Sequence, residues 1–309
     1  MGFLDRQTED PTLSRTGRLA FEIRSVDINV WQIRLSAPGV KDSPATQLIG
    51  STVLDGHPQF SPDGRRIVFT SDRSGSRQLW MCNADGSNPM QLTRMNAPMT
   101  GGPRWSRDGS RILFDSNPEG DFEVYAVNAA GGAAQRLTNY AADQAYGVES
   151  PDGRWIYFMS SRTGHRQIWK MPANGGEAVQ VTRNGGVVPF PSDDGKSLYF
   201  SERAGQGANN GKGGLLRLRL NDGIEEQILP SVTFWNVVLK PDGIYYIPQA
   251  DSSGYAIYYH DFHTGKSTLL EPLRGGVSEG MSLSPDGRTL LFSQVDERRS
   301  DLMLADLLH

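Results

Sequence analysis

The sequence predicts an all-β fold, a seven-bladed β-propeller whose blades are four-stranded antiparallel sheets. Three observations support this prediction. The 309-residue chain repeats a Ser-Pro-Asp-Gly type of turn at intervals of 42 to 48 residues. An apolar pair two residues apart follows each turn, which is typical of a strand with one buried face. A period in this range that contains only strands is typical of propeller blades.

The repeated turn is clearest at residues 61–64, where the sequence is SPDG. Pro62 presets its own backbone angle, and Gly64 can adopt the left-handed conformation that closes the turn. A degraded copy, SRTG, ends near the N-terminus. The seven turns end at Gly17, Gly64, Gly109, Gly153, Gly195, Gly243 and Gly287. Seven turns predict seven blades.

Each turn is followed by two strands with large apolar residues at matching places. In the second repeat these residues are Ile67 and Phe69 in the first of the two strands and Trp80 in the other. We expect these side chains to fill the layers between blades, because a single blade cannot bury both of its faces. The residues equivalent to Trp80 are Trp31, Tyr125, Trp169, Leu216, Tyr259 and Met303.

The repeat predicts a single domain over residues 1–309, because a ring divides its burial among the blade interfaces. The predicted blades are residues 12–49, 50–93, 94–138, 139–182, 183–229, 230–273 and 274–309. The last of these lacks an outer strand. We therefore expect the N-terminal strand, within residues 1–9, to complete it and close the ring. A Gly/Asn-rich insertion at residues 203–214 is expected to be a mobile surface loop.

Charge and composition exclude several classes of partner. The formal net charge of −4 provides no basic field for nucleic acid or for an anionic membrane surface. No segment is apolar for long enough to insert into a membrane, and the N-terminus lacks a secretory signal pattern. The chain as given is expected to be a cytoplasmic monomer, or periplasmic if it is the module of a longer membrane-anchored protein. Cys82, the single cysteine, is expected to be a buried thiol.

The loops that lead into the innermost strand of each blade are expected to form one mouth of the central channel, where propellers hold ligands. Trp235 offers a flat apolar platform there, and we expect it to be less tightly packed than Trp169. Arg104 and two glutamates offer opposed charges. The candidate ligand-binding residues are His57, Arg104, Tyr146, Glu149, Trp235, Asn236 and Glu279.

Glu149 is unusual among these candidates because it stands where the two preceding blades have Phe60 and Trp105. An acid therefore occupies an apolar register position. A ligand site is one explanation. The alternative is that backbone donors or water satisfy the carboxylate in a wet channel.

The order of motifs resembles the TolB-type β-propeller repeat over nearly the whole chain. The motifs are SPDG, Ile or Leu two residues before Phe, S-x-R-x-G, Ile or Leu before Trp or Tyr, and Q-L-T or Q-V-T. The phrases RQIWKMPANGGEAVQVTRNGG and FWNVVLKPDGIYYI are most similar to the C-terminal propellers of bacterial winged-helix, CadC-like transcriptional regulators. This resemblance implies a sensing or protein-binding module. TolB itself resembles a six-bladed ring with a separate α/β domain, whereas this chain has seven turns and no such domain.

Enzymatic interpretations have less support. A Ser-His-Asp hydrolase with a propeller would need an α/β domain beside it, and the sequence predicts none. His260 and His263 are three residues apart, which in a strand places them on opposite faces and away from a shared metal. Glu149 and Glu279 could face each other across the channel as the acid and base of a hydrolase or lyase.

The sequence therefore favours binding over catalysis, with no catalytic residue, no metal and no cofactor. The expected partner is a small polar ligand, or a peptide or protein, held at the channel mouth. A propeller enzyme and a purely structural interaction scaffold are the alternatives.

Overall fold

A computed structural model describes residues 7–13, 18–202, 214–233, 235–250, 252 and 254–306. Within these ranges the chain forms strands and no helix. The residues expected to begin the closing strand, 1–6, and almost all of the Gly/Asn-rich insertion, 203–213, lie outside the described part.

The strands follow one another in six groups along the chain. The first group is β1 (Gln7–Leu13), β2 (Arg18–Ala37), β3 (Val40–Lys41) and β4 (Thr46–Ile49). The second is β5 (Asp55–Phe60), β6 (Arg66–Ser71), β7 (Gln78–Asn83) and β8 (Met90–Gln91). The third is β9 (Thr100–Trp105), β10 (Arg111–Ser116), β11 (Glu123–Asn128) and β12 (Gln135–Arg136).

The remaining strands continue the pattern. The fourth group is β13 (Gln144–Glu149), β14 (Trp155–Ser160), β15 (Gln167–Pro172) and β16 (Val179–Gln180). The fifth is β17 (Pro189–Pro191), β18 (Ser197–Ser201), β19 (Leu215–Arg219) and β20 (Glu225–Leu229). The sixth is β21 (Val237–Lys240), β22 (Gly243–Tyr246), β23 (Ala256–Asp261) and β24 (Lys266–Pro272), followed by β25 (Gly276–Leu283) and β26 (Thr289–Asp306).

The described strands form six antiparallel sheets, so the propeller has six blades and the prediction of seven is wrong. Five blades are the meanders β5–β8, β9–β12, β13–β16, β17–β20 and β21–β24. The sixth blade joins the two ends of the chain in the order β25, β26, β2 and β4.

The missing seventh blade has a local cause. Between Phe21 and Trp31 the sequence contains no glycine or proline, and the same holds between Phe292 and Met303. Every other blade has a glycine in this interval, where its second strand turns into its third. Without that turn, β2 and β26 each continue as one long strand, and the two strands pair along their length. The pairs extend from Arg18 with Asp306 at one end to Arg34 with Thr289 at the other.

The ring is therefore closed by a different segment from the one predicted. The second half of β2 and strand β4 complete the last blade, with Ile28 paired to Val295 and Val30 to Ile49. Strand β1 pairs with the first half of β2, on the far side from β26. The first half of β2, β1 and the end of β26 thus extend the sheet beyond the four-stranded blade.

Six apolar clusters lie at the six interfaces between neighbouring blades. One of them joins Val68 and Leu79 of one blade to Ile112 and Phe114 of the next. The ring-closing interface joins Phe69 to Val30 in the same way. The recurrent phenylalanines are fully buried, as the sequence predicts; they are Phe69, Phe114, Phe158, Phe200 and Phe292.

The repeated turn is held by its own aspartate. In the third copy the Asp108 carboxylate accepts hydrogen bonds from Ser110 N at 2.9 Å and Ser106 Oγ at 2.7 Å. These donors lower the pKa of Asp108 to about 2. Gly109 closes the turn with a φ of 70°, which explains the glycine at this place in the repeat.

Candidate functional site

The first strand of each blade lies on the channel. All six of these strands contribute residues to the lining of a central cavity of about 580 Å³. One equivalent residue in each strand is Gln59, Arg104, Val148, Phe190, Val238 or Ser282. These residues occupy the same register position, two before the serine or lysine that opens each turn. We call this space the rear cavity. The other end of the channel, where the first strands begin, is the front mouth.

Bulges in four first strands shape the front mouth. The pairing of β5, β9, β13 and β25 with their neighbours shifts register at equivalent places. The residues with positive φ at these bulges are His57 at 52°, Gly102 at 61°, Tyr146 at 65° and Gly280 at 109°. A left-handed conformation is uncommon for residues other than glycine and often marks a functional position.

Trp235 lies at the centre of the front mouth and is only 3% exposed. His57 and Tyr146 meet its ring edge-on, with centroids 5.3 Å and 5.1 Å away. The guanidinium carbon of Arg104 lies 4.8 Å from the same ring centroid. Residues from three blades thus converge on the indole of a fourth. Aromatic and cation–π contacts of this kind add to the stabilisation that burial alone provides.

Glu279 supplies a negative charge at the edge of this cluster. Its Oε2 lies 3.2 Å from His57 Nε2, and its side chain is 42% exposed. The other ring nitrogen of this histidine, Nδ1, is buried without a hydrogen-bond partner among the described residues. The pair therefore combines the exposed carboxylate of Glu279 with His57 Nδ1, a hydrogen-bonding atom that no described residue satisfies.

Asn236 has a structural role in this arrangement. Its Oδ1 accepts from Gly280 N at 2.9 Å, and its Nδ2 donates to Ser278 O at 3.1 Å. The amide thus joins the first strands of two neighbouring blades. Asn236 is 1% exposed, so its contribution to a ligand site would act through the position of those strands.

Asp115 was missing from the sequence-based candidates. Its carboxylate accepts from Tyr146 N at 2.9 Å. Burial raises its pKa to about 7, although the backbone donors of Tyr146 and Gly147 and the charge of Arg104 act in the opposite direction. The sequence did carry a signal, because the equivalent residues after the recurrent phenylalanine are Thr70, Met159, Ser201 and Ser293.

Two cavities open around these residues. One, of about 200 Å³, is lined by His57, Asp115, Tyr146, Trp235 and Glu279 among others. A second, of about 330 Å³, shares Trp235 and Glu279 with the first. The front mouth therefore combines aromatic walls with a few polar groups, which is the composition of a small-molecule site.

Glu149 lies elsewhere. Arg111 donates to its Oε1 from Nη2 at 2.7 Å and from Nε at 3.0 Å, and Arg107 N donates to Oε2 at 3.1 Å. The Glu149 side chain is 8% exposed and lines the rear cavity. Glu149 and Glu279 thus line different cavities, and the structure does not bring them together as an acid/base pair.

Metal-ligating side chains and the Cys82 thiol are the other reactive groups of the chain. In the described ranges, no three His, Cys, Asp or Glu side chains come close enough together to hold a metal ion. Cys82 is buried in a blade interface, and burial raises the pKa of its thiol to about 12. A thiol with so high a pKa is a poor nucleophile.

Asp115 should make the stability of the protein depend on pH. The folded state keeps its proton up to about pH 7, whereas an aspartate with the ordinary pKa of 3.8 loses it near pH 4. The folded state therefore binds more protons in this window, and the free energy of unfolding should fall as the pH rises through it. Urea unfolding at several pH values should show a steeper fall for the parent than for Asp115→Asn. Equal slopes would contradict the raised pKa.

The motifs and the fold are similar to those of known proteins. Residues 95–233 match the family model PD40, the TolB β-propeller domain. Residues 95–233 are thus similar to the TolB β-propeller domain, over less than half of the chain. The propeller superposes on the structure of the putative TolB from Agrobacterium tumefaciens with a TM-score of 0.72 and 19% identity, over 88% of this chain and 99% of that one.

Two further solved structures share the fold. TolB from Acinetobacter baumannii gives a TM-score of 0.62 at 15% identity and covers 94% of this chain and 81% of its own. A puromycin hydrolase gives 0.56 at 15% identity and covers 91% of this chain and 49% of its own. At these identities the likeness extends to the fold alone.

Sequence relatives match short segments. An uncharacterized protein of Agrobacterium fabrum is 47% identical over 53 residues, which is 16% of this chain and 18% of that protein. The Tol-Pal system protein TolB of Bordetella pertussis is 51% identical over 35 residues, 11% of this chain and 8% of that protein. The matched segments thus span less than a fifth of either relative. In the described ranges, no helix has the length and apolar character of a membrane span.

Proposed function

We propose that this TolB-type propeller is a non-catalytic binding module that holds a small polar ligand or the end of a peptide at the front mouth. The observation that carries the proposal is the convergence of His57, Tyr146 and Arg104 on Trp235 beside the exposed Glu279. Two of these residues, His57 and Tyr146, have a strained, left-handed backbone conformation. Such strain persists where the surrounding structure enforces it, and it clusters at ligand sites.

The chemistry of the mouth suits a ligand with a positive group and a flat or apolar part. Glu279 offers the accessible carboxylate, and the Trp235 cluster offers aromatic edges and faces. A peptide amino terminus and a cationic metabolite both have this character. As in the propellers of CadC-like regulators, binding would serve sensing or protein interaction. In this proposal the whole chain, residues 1–309, acts as one domain.

A propeller enzyme is the second candidate, favoured by two acid/base groups in one cavity, the His57–Glu279 pair and Asp115. The described residues that line this cavity include no serine or cysteine. Their one threonine, Thr100, is fully buried and hydrogen-bonded to Ser116. Binding without turnover is therefore the better-supported function.

The proposal predicts that front-mouth variants lose ligand affinity while the protein stays folded. Short peptides with free or blocked amino termini and cationic metabolites would be screened by thermal shift, and hits measured by calorimetry. Glu279→Gln should weaken binding of a hit roughly tenfold, the effect of losing one charge-assisted contact. His57→Asn should also weaken it, since asparagine tolerates the left-handed backbone.

The control is Glu177→Gln, which removes an equal charge from an exposed position outside both front cavities. It should leave the affinity unchanged. Hits that bind Glu279→Gln and His57→Asn as tightly as the parent would move the site away from the front mouth. Turnover of a hit by the parent, lost in Asp115→Asn, would favour the enzyme.

A further inference from the structure

The rear cavity has the size of a ligand site and lies beyond the Trp235 cluster. Its volume of about 580 Å³ is within the range of small-molecule pockets. Trp235 and Glu279 line the front cavities and do not line this one. A ligand in the rear cavity would therefore contact neither Trp235 nor Glu279.

The acids of the rear cavity already have partners. Glu149 is held by Arg111, and Asp193 lies 3.5 Å from Arg107. The other charged residues that line the cavity are Arg104 and Lys240. Within the described ranges neither cation forms an ion pair, so the cavity has an excess of positive charge.

Arg104 is positioned before any ligand arrives. Its guanidinium carbon lies 4.8 Å from the centroid of Trp235 and 5.5 Å from that of Phe190, so aromatic rings fix its place. Its Nη2 atom is buried and has no hydrogen-bond partner in the described part of the chain. Asp115 attracts Arg104 through space, yet burial dominates and lowers the pKa of Arg104 to about 10. The residue is thus still charged at neutral pH, and its Nη2 is free to bind an anion.

A buried charge without a partner is costly, and an arginine pairs most strongly with a carboxylate. The walls around it also carry many apolar side chains. They include Phe60, Trp105, Val148, Pro189, Phe190, Pro191, Val237, Leu239 and Leu283. A ligand that satisfies both features carries a carboxylate on an apolar or aromatic body.

We propose that the rear cavity is a second ligand site, which binds such a carboxylate through Arg104 and Lys240. The carboxylate could belong to a small aromatic acid or to the last residue of a peptide, because both present the same groups. This site occupies a different cavity from the front mouth, although Arg104 contacts Trp235 between the two. Its ligand has the opposite charge.

The test uses four probes on the full chain, measured by calorimetry. N-acetylphenylalanine and its amide represent the small molecule, and Gly-Gly-Phe and its C-terminal amide represent the peptide end. We expect at least one acid to bind and its amide to bind at least roughly tenfold more weakly, because the amide has no negative charge. The acid that binds more tightly identifies the source of the carboxylate.

Variants assign the binding to this cavity. Arg104→Gln should weaken the acid roughly tenfold to a hundredfold, the range for a charged hydrogen bond, and Lys240→Gln by a few-fold. The control is Arg154→Gln, because Arg154 is exposed, is paired with Asp152 and does not line this cavity. Glu279→Gln should also leave acid binding unchanged, which separates this proposal from the front mouth.

Arg104→Gln would first be checked by its melting curve. If it does not fold, Gln59→Glu replaces it, since Gln59 occupies the same register position in the neighbouring blade and a glutamate there would compete for Arg104. It should abolish acid binding. The proposal is overturned if neither acid binds at about 10 mM, if acids and amides bind equally, or if the tested variant keeps the parent affinity.

Discussion

Replacing Trp235 by alanine is expected to lower the free energy of unfolding by about 3 to 5 kcal/mol. The indole is 3% exposed and belongs to the apolar cluster between two blades. Its loss would leave a cavity that His57, Tyr146 and Arg104 cannot fill, because strands of separate blades hold them. Equilibrium unfolding in urea, followed by circular dichroism, would measure the change.

Trp169→Ala is the matched comparison. Trp169 is only half-buried, and its Nε1 has no hydrogen-bond partner among the described residues, so its removal should cost less. The sequence-based expectation has the opposite order, with Trp169 in the core and Trp235 partly packed. A larger loss for Trp169→Ala than for Trp235→Ala would restore that expectation and contradict the burial seen in the structure.

The blade core could be predicted because its signal is local and repeated. An apolar residue such as Ile112, followed two positions later by Phe114, shows which face of a strand is buried, whatever the number of blades. The blade number needed a different signal. The motif that ends at Gly17 and recurs along the chain predicts the turn before a blade's second strand. A blade also needs a turn after that strand, which the motif does not indicate. That second turn is absent from β2 and β26.

The front mouth was only partly accessible to sequence reasoning. The first strands could be aligned, which placed His57, Tyr146 and Trp235 at one end of the channel. Their backbone conformation could not be deduced, since histidine and tyrosine do not favour a positive φ. Gly102 and Gly280, at the same place in two other blades, were the available hints of a bulge.

The roles of two acidic residues depend on partners in neighbouring blades. Glu149 and Asp115 are both acids at positions where the other repeats have residues of a different kind. The sequence alone therefore does not distinguish their roles. Their partners lie on neighbouring blades, in Arg111 for one and the Tyr146 backbone for the other. A partner across a blade interface cannot be read from one repeat. The structure was needed to assign Glu149 to an ion pair and Asp115 to the ligand cavity.

The closest backbone approach in the front mouth predicts a second large effect. Gly280→Ala should lower the free energy of unfolding by about 3 to 5 kcal/mol, because overpacking adds to backbone strain. A Cβ at Gly280 would lie 2.5 Å from His57 Cα, so one of two first strands would have to move. The shift would also disturb the contact of His57 with Trp235 and weaken any ligand bound at the front mouth.

Gly120→Ala separates the two causes of this loss. Gly120 has a φ of 108°, nearly the same as the 109° of Gly280, but no atom lies within 4 Å of its added Cβ. It should therefore suffer the strain alone, about 1 to 2 kcal/mol, without the clash. Urea unfolding of both variants, with calorimetry of a front-mouth ligand, would give the comparison. Equal losses of stability would mean that the strands at Gly280 and His57 can separate without cost, and that the front mouth is not held by this contact.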